Sequence, residues 1–381
     1  MAATIVGIAT VAIWVYLLFF RGGFWWSPYR PTPVAAGIAA PSVIAVIPAR
    51  DEAAVIGRAV ASLLAQEYSG SFHIVVVDDQ STDGTAEFVR AAASGDANRL
   101  TIHRGQAIPP GWTGKLWAVH QGVELARSRR PDYLLLTDAD IVHGPANLRE
   151  LMSRAEREGY DLVSLMVRLN CRGLWEKLLI PAFVFFFFKL YPPRWVADPT
   201  RRTAAAAGGC MLIRAATLDR IGGIASIRHE IIDDCALAGR VKAVGKVWLG
   251  PSAHTRSIRE YRSWWAIWDM VVRSAFAQLG YSTPMLALTV LMLALTYLTP
   301  PLLTLSAAPV TILCGAVAWL GMSVAFLPTL RTYHTPRFLA PLLPLIAFFY
   351  VAATIASAVM FWRGRGGYWK GRFQAAAPDS T

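Results

Sequence analysis

Between residues 41 and 167 the chain alternates short apolar runs with longer amphipathic stretches. The apolar runs fall at 43–48 (VIAVIP), 73–78 (HIVVVD), 100–104 (LTIHR), 133–138 (YLLLTD) and 161–167 (DLVSLMV). Runs of this length, rich in β-branched residues and bounded by polar or turn residues, predict buried strands. The stretches between them repeat apolar residues at helical spacing and predict helices over 52–66, 84–94, 114–127 and 145–158. A strand–helix series of this kind predicts an α/β fold, a Rossmann-like and mainly parallel sheet. A further short strand is predicted after Gly208-Gly209, and a helix over 234–244.

Other stretches are apolar without interruption. Residues 3–20, 284–304, 308–328 and 338–362 are long enough to cross a bilayer. The first is read as an anchor rather than a signal peptide, because no basic segment precedes it and no small-residue cleavage site follows. The aromatic run at 178–193 is shorter and contains Pro181 and Lys189. It is read either as an interfacial or re-entrant segment with Lys189 snorkelling, or as a buried core helix. Residues 254–273 mix arginine and tryptophan (Arg256, Arg259, Arg262, Trp264, Trp265, Trp268, Arg273), as in a helix on a membrane surface. The chain therefore divides into a membrane helix (1–23), a Pro-rich linker (24–41), an α/β domain (42–253), an amphipathic region (254–283), about three membrane helices (284–362) and a basic tail (363–381). Arg21 and Arg30 place the α/β domain in the cytosol of an inner-membrane protein. Four crossings then put the basic tail on the other side, against the same rule, so either one apolar segment does not cross or the tail is an exception.

Composition agrees with a mixed chain: 381 residues, 55% hydrophobic, with a formal charge of +12. Excess base accompanied by membrane segments and by no nucleic-acid-binding signature points to lipid and phosphate, not to nucleic acid. The four cysteines lack C-x-x-C spacing, which excludes a disulfide framework or zinc site and fits a reducing compartment. The sequence sets no oligomeric state.

The candidate chemistry sits at the ends of the predicted strands, where ligands bind in open α/β sheets. Asp138 and Asp140 follow the fourth strand. Two carboxylates one residue apart suit a divalent cation carrying a phosphorylated ligand, or are a polar turn. The second strand ends in Asp78-Asp79, and Ser81 or Asp83 beyond them makes a good helix N-cap. The first strand ends in Pro48-Ala49-Arg50-Asp51-Glu52 and lacks G-x-G-x-x-G, which disfavours a dinucleotide site. Lys115 opens a helix as an anion contact or as a solvated lysine. Gly208-Gly209 lets backbone approach a ligand, or is a plain turn. Asp233 and Asp234 start a helix, where a carboxylate complements the dipole or serves as a general base.

Taken in order, VIPARDEAAVIGRAVASLLAQEY, VVVDDQSTDGT, GWTGKLWAVHQG, LLLTDAD, AAAAGGCMLIR and IDDCAL resemble the family-2 glycosyltransferases of GT-A fold. The likeness covers roughly residues 42 to 275, and the whole chain is similar to the membrane-bound branch called hopene-associated glycosyltransferases. The resemblance implies inverting transfer of a sugar from a nucleotide sugar, with uridine preferred, to a lipid in the bilayer, a hopanoid among the candidates. A polyprenyl-phosphate glycosyltransferase and a non-catalytic membrane scaffold are the alternatives. It also implies that Pro48, Ala49 and Glu52 line the base and ribose, and that Asp79, with Asp78, bonds the base. Asp138 and Asp140 would hold Mg²⁺ or Mn²⁺ on the diphosphate, Gly208 and Gly209 would lie near the sugar, and Asp234 would be the base. Lys115 matches a family lysine without an assigned role. Two positions depart from the family pattern. Its Glu-Asp pair is Asp233-Asp234 here, and its Q-x-x-R-W motif is broken. Arg273 is chosen as that motif's arginine by its distance from Asp234, with Arg259-Glu-Tyr-Arg262-Ser-Trp264 an imperfect neighbour.

Overall fold

The computed structural model describes residues 1–29, 40–367 and 370–371. Most of the Pro-rich linker and of the basic tail thus lies outside the described residues. The chain forms two compact units. An α/β unit holds Pro28–Asn170 and Trp195–Glu260, and a helical unit holds Met1–Ser27, Cys171–Arg194 and the chain from Tyr261 onward.

The α/β unit is built on one eight-stranded sheet: β1 (Val43–Ala49), β2 (Phe72–Asp78), β3 (Leu100–Arg104), β4 (Tyr133–Thr137), β5 (Ile141–Val142), β6 (Leu162–Arg168), β7 (Cys210–Arg214) and β8 (Val247–Ser257). Their order across the sheet is β3-β2-β1-β4-β7-β6-β8-β5. The first four strands are parallel neighbours; β1, β2 and β4 carry the continuous buried apolar runs of strands covered on both faces, while β3 is a half-exposed edge strand. Beyond them β7 runs antiparallel between β4 and β6, while β6 and β8 are again parallel. Parallel pairings are in the majority, and the antiparallel β7 makes the sheet mixed.

That reversal positions the site. In register, Ala49 lies beside Asp78, and Val46 beside Leu136. The carboxyl ends of β1, β2 and β4 therefore share one edge. Thr137 pairs with Cys210, so the Gly208-Gly209 turn enters β7 at that same edge. Beneath it lies a core of fully buried apolar residues that includes Ala45, Ile47, Ile74, Val76, Leu135 and Leu212. The helix Gly114–Arg127 presses close to the sheet because Gly122 has no side chain: a Cβ there would stand 2.5 Å from Val46 Cγ1.

Two local expectations are corrected. Helix Thr85–Ala92 has Gly84 as its N-cap, at φ +87°, not Ser81 or Asp83. Residues 254–257 are sheet, not a membrane-surface helix, because β8 continues to Ser257 and pairs with β5 there. A shorter helix, Trp264–Val272, follows, with Ser263 accepting a cap bond from the Ala266 N–H.

Among the described residues the helical unit has four helices long and apolar enough to cross a membrane: Ala2–Phe20, Thr283–Leu303, Pro309–Thr332 and Arg337–Trp362. Small residues let them approach, as at Gly315, where a Cβ would meet the Pro300 carbonyl oxygen at 2.6 Å. The aromatic run is one continuous helix, Leu174–Leu190, not a re-entrant turn. Its Phe185 packs edge-on against Phe24 and Phe326, and the Tyr350 hydroxyl donates to the Leu179 carbonyl at 2.9 Å. It is a core helix of this unit, with Leu179, Ile180, Phe185 and Phe188 buried.

Candidate active site

The loops after β1 and β2 fix each other. The Asp51 N–H donates to Ser81 Oγ at 3.0 Å, the Thr82 N–H to Asp51 Oδ1 at 2.9 Å, and the Glu52 N–H to Thr85 Oγ1 at 2.9 Å. Asp83 accepts from the Ala53 N–H at 2.9 Å and from Thr85. The polar residues after β2 thus tie the two loops together, and Asp83 also accepts from the Thr85 N–H that opens the helix. Asp79 is buried at this junction, 3.8 Å from Arg50, which also donates to the Asp79 carbonyl oxygen at 2.7 Å. A buried carboxylate needs such a cation nearby.

Lys115 is the hub of the edge. Its Nζ lies 3.1 Å from Asp138 Oδ1 and 3.1 Å from Asp233 Oδ2. Burial works against its charge, but Asp138, Asp233 and Asp234 outweigh that and raise its pKa, so Lys115 is a fixed cation. Enclosure raises the Asp138 carboxyl above the usual range; Lys115 opposes the rise, and Asp140 and Asp233 add to it. Asp234 accepts from the Gly208 N–H at 2.8 Å and from the Cys235 N–H at 2.7 Å. Burial, and then Asp233, push Asp234 up to about 6 against the pull of Lys115 and these two N–H groups. That value suits a base working near neutral pH.

The second carboxylate of the Asp138/Asp140 pair is held from β8. Asp140 Oδ2 accepts from Ser257 Oγ at 2.6 Å and lies 3.2 Å from Arg259 Nε. The other end of the same guanidinium reaches Glu52 Oε1 at 2.7 Å. Arg259 therefore ties the Asp140 carboxylate to the end of β1. Behind β4, Thr137 Oγ1 donates to the Gly209 carbonyl at 2.8 Å and so accepts from His143 Nε2 at 3.0 Å. Burial pushes His143 down to about 3, which keeps the imidazole neutral, and Asn147 donates to its Nδ1.

Most of the residues singled out in the sequence meet here. Pro48, Lys115, Asp138, Gly208 and Asp233 line one pocket. Glu52 and Asp140 join through Arg259, Asp234 through Gly208, and Ala49, Asp78 and Asp79 by strand register. The two glycines separate in role. A Cβ on Gly208 would lie 3.3 Å from Lys115 Nζ and 3.4 Å from Asp234 Oδ2, within the site. One on Gly209 would meet Val167 at 2.9 Å, so Gly209 is a packing glycine. Arg273 belongs to the helical unit, and the arginine that the α/β unit places on the acid pair is Arg259. Arg259 was legible only as part of a broken motif. Arg50, Ser257 and His143 carried no signal, because their roles depend on strand register.

The donor set fits a divalent cation. Asp138 and Asp140 offer only oxygen, and Asp138 feels both Asp140 and Asp233 as like charges, which added positive charge would relieve. Among the described residues no three His, Cys, Asp or Glu side chains enclose an ion. An ion held there would take its remaining ligands from phosphate oxygens and water.

A sheet with this strand order, carrying acids at the carboxyl ends of β1, β2 and β4, has the GT-A fold of nucleotide-sugar transferases. The chain belongs to the family described as Glycosyltransferase like family 2, which matches residues 40–277. It is similar to the undecaprenyl-phosphate 4-deoxy-4-formamido-L-arabinose transferases of Aeromonas hydrophila (29% identical over 135 residues, 35% of this chain) and Pseudomonas aeruginosa (29% over 152 residues, 38% of this chain). The matched stretch spans 39% and 38% of the length of those relatives. Its fold is similar over 94% of the chain to 98% of a Pyrobaculum calidifontis mannosyltransferase solved with GDP-mannose and Mn²⁺, at a TM-score of 0.55 and 18% identity.

Proposed function

We propose that the protein transfers a sugar, with inversion, from a nucleotide sugar to a hydroxyl group of a membrane lipid. The observation that carries this reading is Asp234: a carboxylate pushed up to about 6, held by two backbone N–H groups, beside the Lys115 cluster. A hydroxyl nucleophile needs a base, and this one is poised near neutral pH. The acceptor hydroxyl gives its proton to Asp234 as its oxygen bonds to the anomeric carbon and the bond to the diphosphate breaks. Lys115 and Arg259 hold Asp138 and Asp140 in place. Those two acids would hold Mg²⁺ or Mn²⁺, which supplies charge neutralisation on the leaving diphosphate when bound. Pro48, Ala49, Glu52, Asp78 and Asp79 form the nucleotide end of the site, and a uridine diphosphate sugar is the proposed donor. The four span-length helices support a lipid acceptor and a membrane setting, and Arg21 and Arg30, which follow the first of them in sequence, favour an inner membrane with the α/β unit in the cytosol. A hopanoid or similar polyisoprenoid alcohol is the acceptor that the sequence resemblance favours.

The names of the curated relatives favour a second reading, in which the acceptor is a polyprenyl phosphate. A phosphate monoester is largely ionised near neutral pH and attacks without a base. The two readings separate on one pair of assays, using detergent-purified protein, Mn²⁺, UDP-sugars and a total lipid extract. The hydroxyl reading expects an acid-stable glycolipid and an Asp234→Asn variant slowed by about 10²–10⁴-fold. An acid-labile sugar phosphate, with Asp234→Asn close to wild-type rate, would replace it with the phosphate reading.

A further inference from the structure

The helical unit holds a cationic cluster that the transfer reaction does not use. At the end of helix Leu174–Leu190, Lys189 Nζ stands 4.7 Å from the centre of the Tyr297 ring and 5.5 Å from that of Phe186. Among the described residues Lys189 makes no ion pair, and no hydrogen bond reaches its Nζ. Arg21 is beside it, donating to the Lys189 carbonyl at 3.1 Å and the Leu190 carbonyl at 3.2 Å. A third cation, Arg194, packs on the Arg21–Gly23 turn: its Nη1 lies 3.3 Å from where a Gly23 side chain would begin, and Gly23 itself sits at φ +60°. Among the described residues the Tyr297 hydroxyl, fully buried, also finds no hydrogen-bond partner.

Ring faces soften the cost of a lysine in such a place, but Arg21 beside it adds repulsion, and Arg194 brings a third positive charge to the turn that follows Arg21. An acceptor-only anion would relieve that repulsion, and the surroundings say where it comes from. Arg21 directly follows the span-length helix Ala2–Phe20, and the next residues are Phe24, Trp25 and a half-exposed Trp26. Tryptophans mark the depth of lipid headgroups, and basic pockets between membrane helices bind phosphate headgroups.

We propose that Arg21, Lys189 and Arg194 form a binding site for the phosphate of an anionic membrane lipid. The site is independent of which acceptor the enzyme uses, since it lies wholly within the helical unit.

The test is lipid binding by the purified full chain, followed by native mass spectrometry and by thermal unfolding. Phosphatidic acid, uncharged diacylglycerol and inorganic phosphate are the three probes. Wild-type protein is expected to bind and be stabilised by phosphatidic acid, not by diacylglycerol and not by inorganic phosphate. Lys189→Met is expected to weaken phosphatidic acid about fivefold, Lys189→Arg to restore it, and the exposed Arg194→Gln to cause a smaller loss. Equal binding of phosphatidic acid to wild type and to folded Lys189→Met would overturn the proposal. So would equal stabilisation of wild type by diacylglycerol, an outcome that needs no variant. Protection by inorganic phosphate as strong as by the lipid would show a free-anion site and overturn the lipid assignment.

Discussion

The two units treat buried charge in opposite ways. In the α/β unit every cation of the site is enclosed by acids: Lys115 lies between Asp138 and Asp233, and Arg259 between Asp140 and Glu52. In the helical unit Lys189 rests on aromatic rings, with no acid paired to it among the described residues. The apolar residues differ as well. Ala45, Ile47 and Leu135 of the sheet are fully buried, while Leu313, Leu320 and Leu345 of the span-length helices are about two-thirds exposed. A pocket with compensated charge is built to bind a charged soluble donor at fixed geometry. A unit with outward leucines and an uncompensated cation is built for a solvent of lipid.

The largest expected effect breaks the site at its base. Asp234→Asn should lower turnover by about 10²–10⁴-fold while leaving donor binding within a few fold, measured by UDP release and by UDP titration. The pH dependence sharpens the same point. The base works as the carboxylate, so wild-type rate should fall as pH drops below about 6, and this limb should vanish in Asp234→Asn.

Next comes the hub. Lys115→Met leaves Asp138 and Asp233 facing each other without their shared cation. It should abolish most activity and cost about 2 kcal/mol in unfolding free energy, less than a fully buried pair, since Asp138 keeps about a third of its surface. Chemical denaturation measures it.

The paired glycines give a smaller and more discriminating contrast. Gly208→Ala crowds Lys115 and Asp234, and should cut turnover roughly tenfold with little change in stability. Gly209→Ala crowds Val167 and Ile141 instead, and should cost about 1–3 kcal/mol while the folded fraction stays active. Equal effects of the two changes on rate and stability would contradict the roles assigned to them.

Much of this was legible before the structure. The apolar runs predicted β1, β2, β4 and β6, because a strand covered on both faces must be apolar throughout, and the half-exposed edge strand β3 by its alternation of apolar and polar residues. The span-length helices were legible for a similar reason, since bilayer thickness fixes their length. Asp138, Asp140, Asp233 and Asp234 were visible as paired acids at strand ends or helix starts. What was not legible depends on contacts distant in sequence. Nothing local marks Arg259 as the partner of Asp140, 119 positions earlier, or Ser257 as its hydroxyl donor. β8 was not read as a strand, and its last residues, His254–Ser257, were grouped with the arginine-rich stretch that follows. The 178–193 run could not be placed by periodicity, since an apolar segment reads alike in lipid and in a protein core.

The most direct test of the account is the pH–rate profile of lipid glycosylation from about pH 5 to about pH 8, for wild type and Asp234→Asn with the same donor and lipid extract. The account predicts a wild-type acid limb near pH 6 and a variant that is flat and slower by about 10²–10⁴-fold. A variant that glycosylates lipid at the wild-type rate, with the same acid limb, would contradict it.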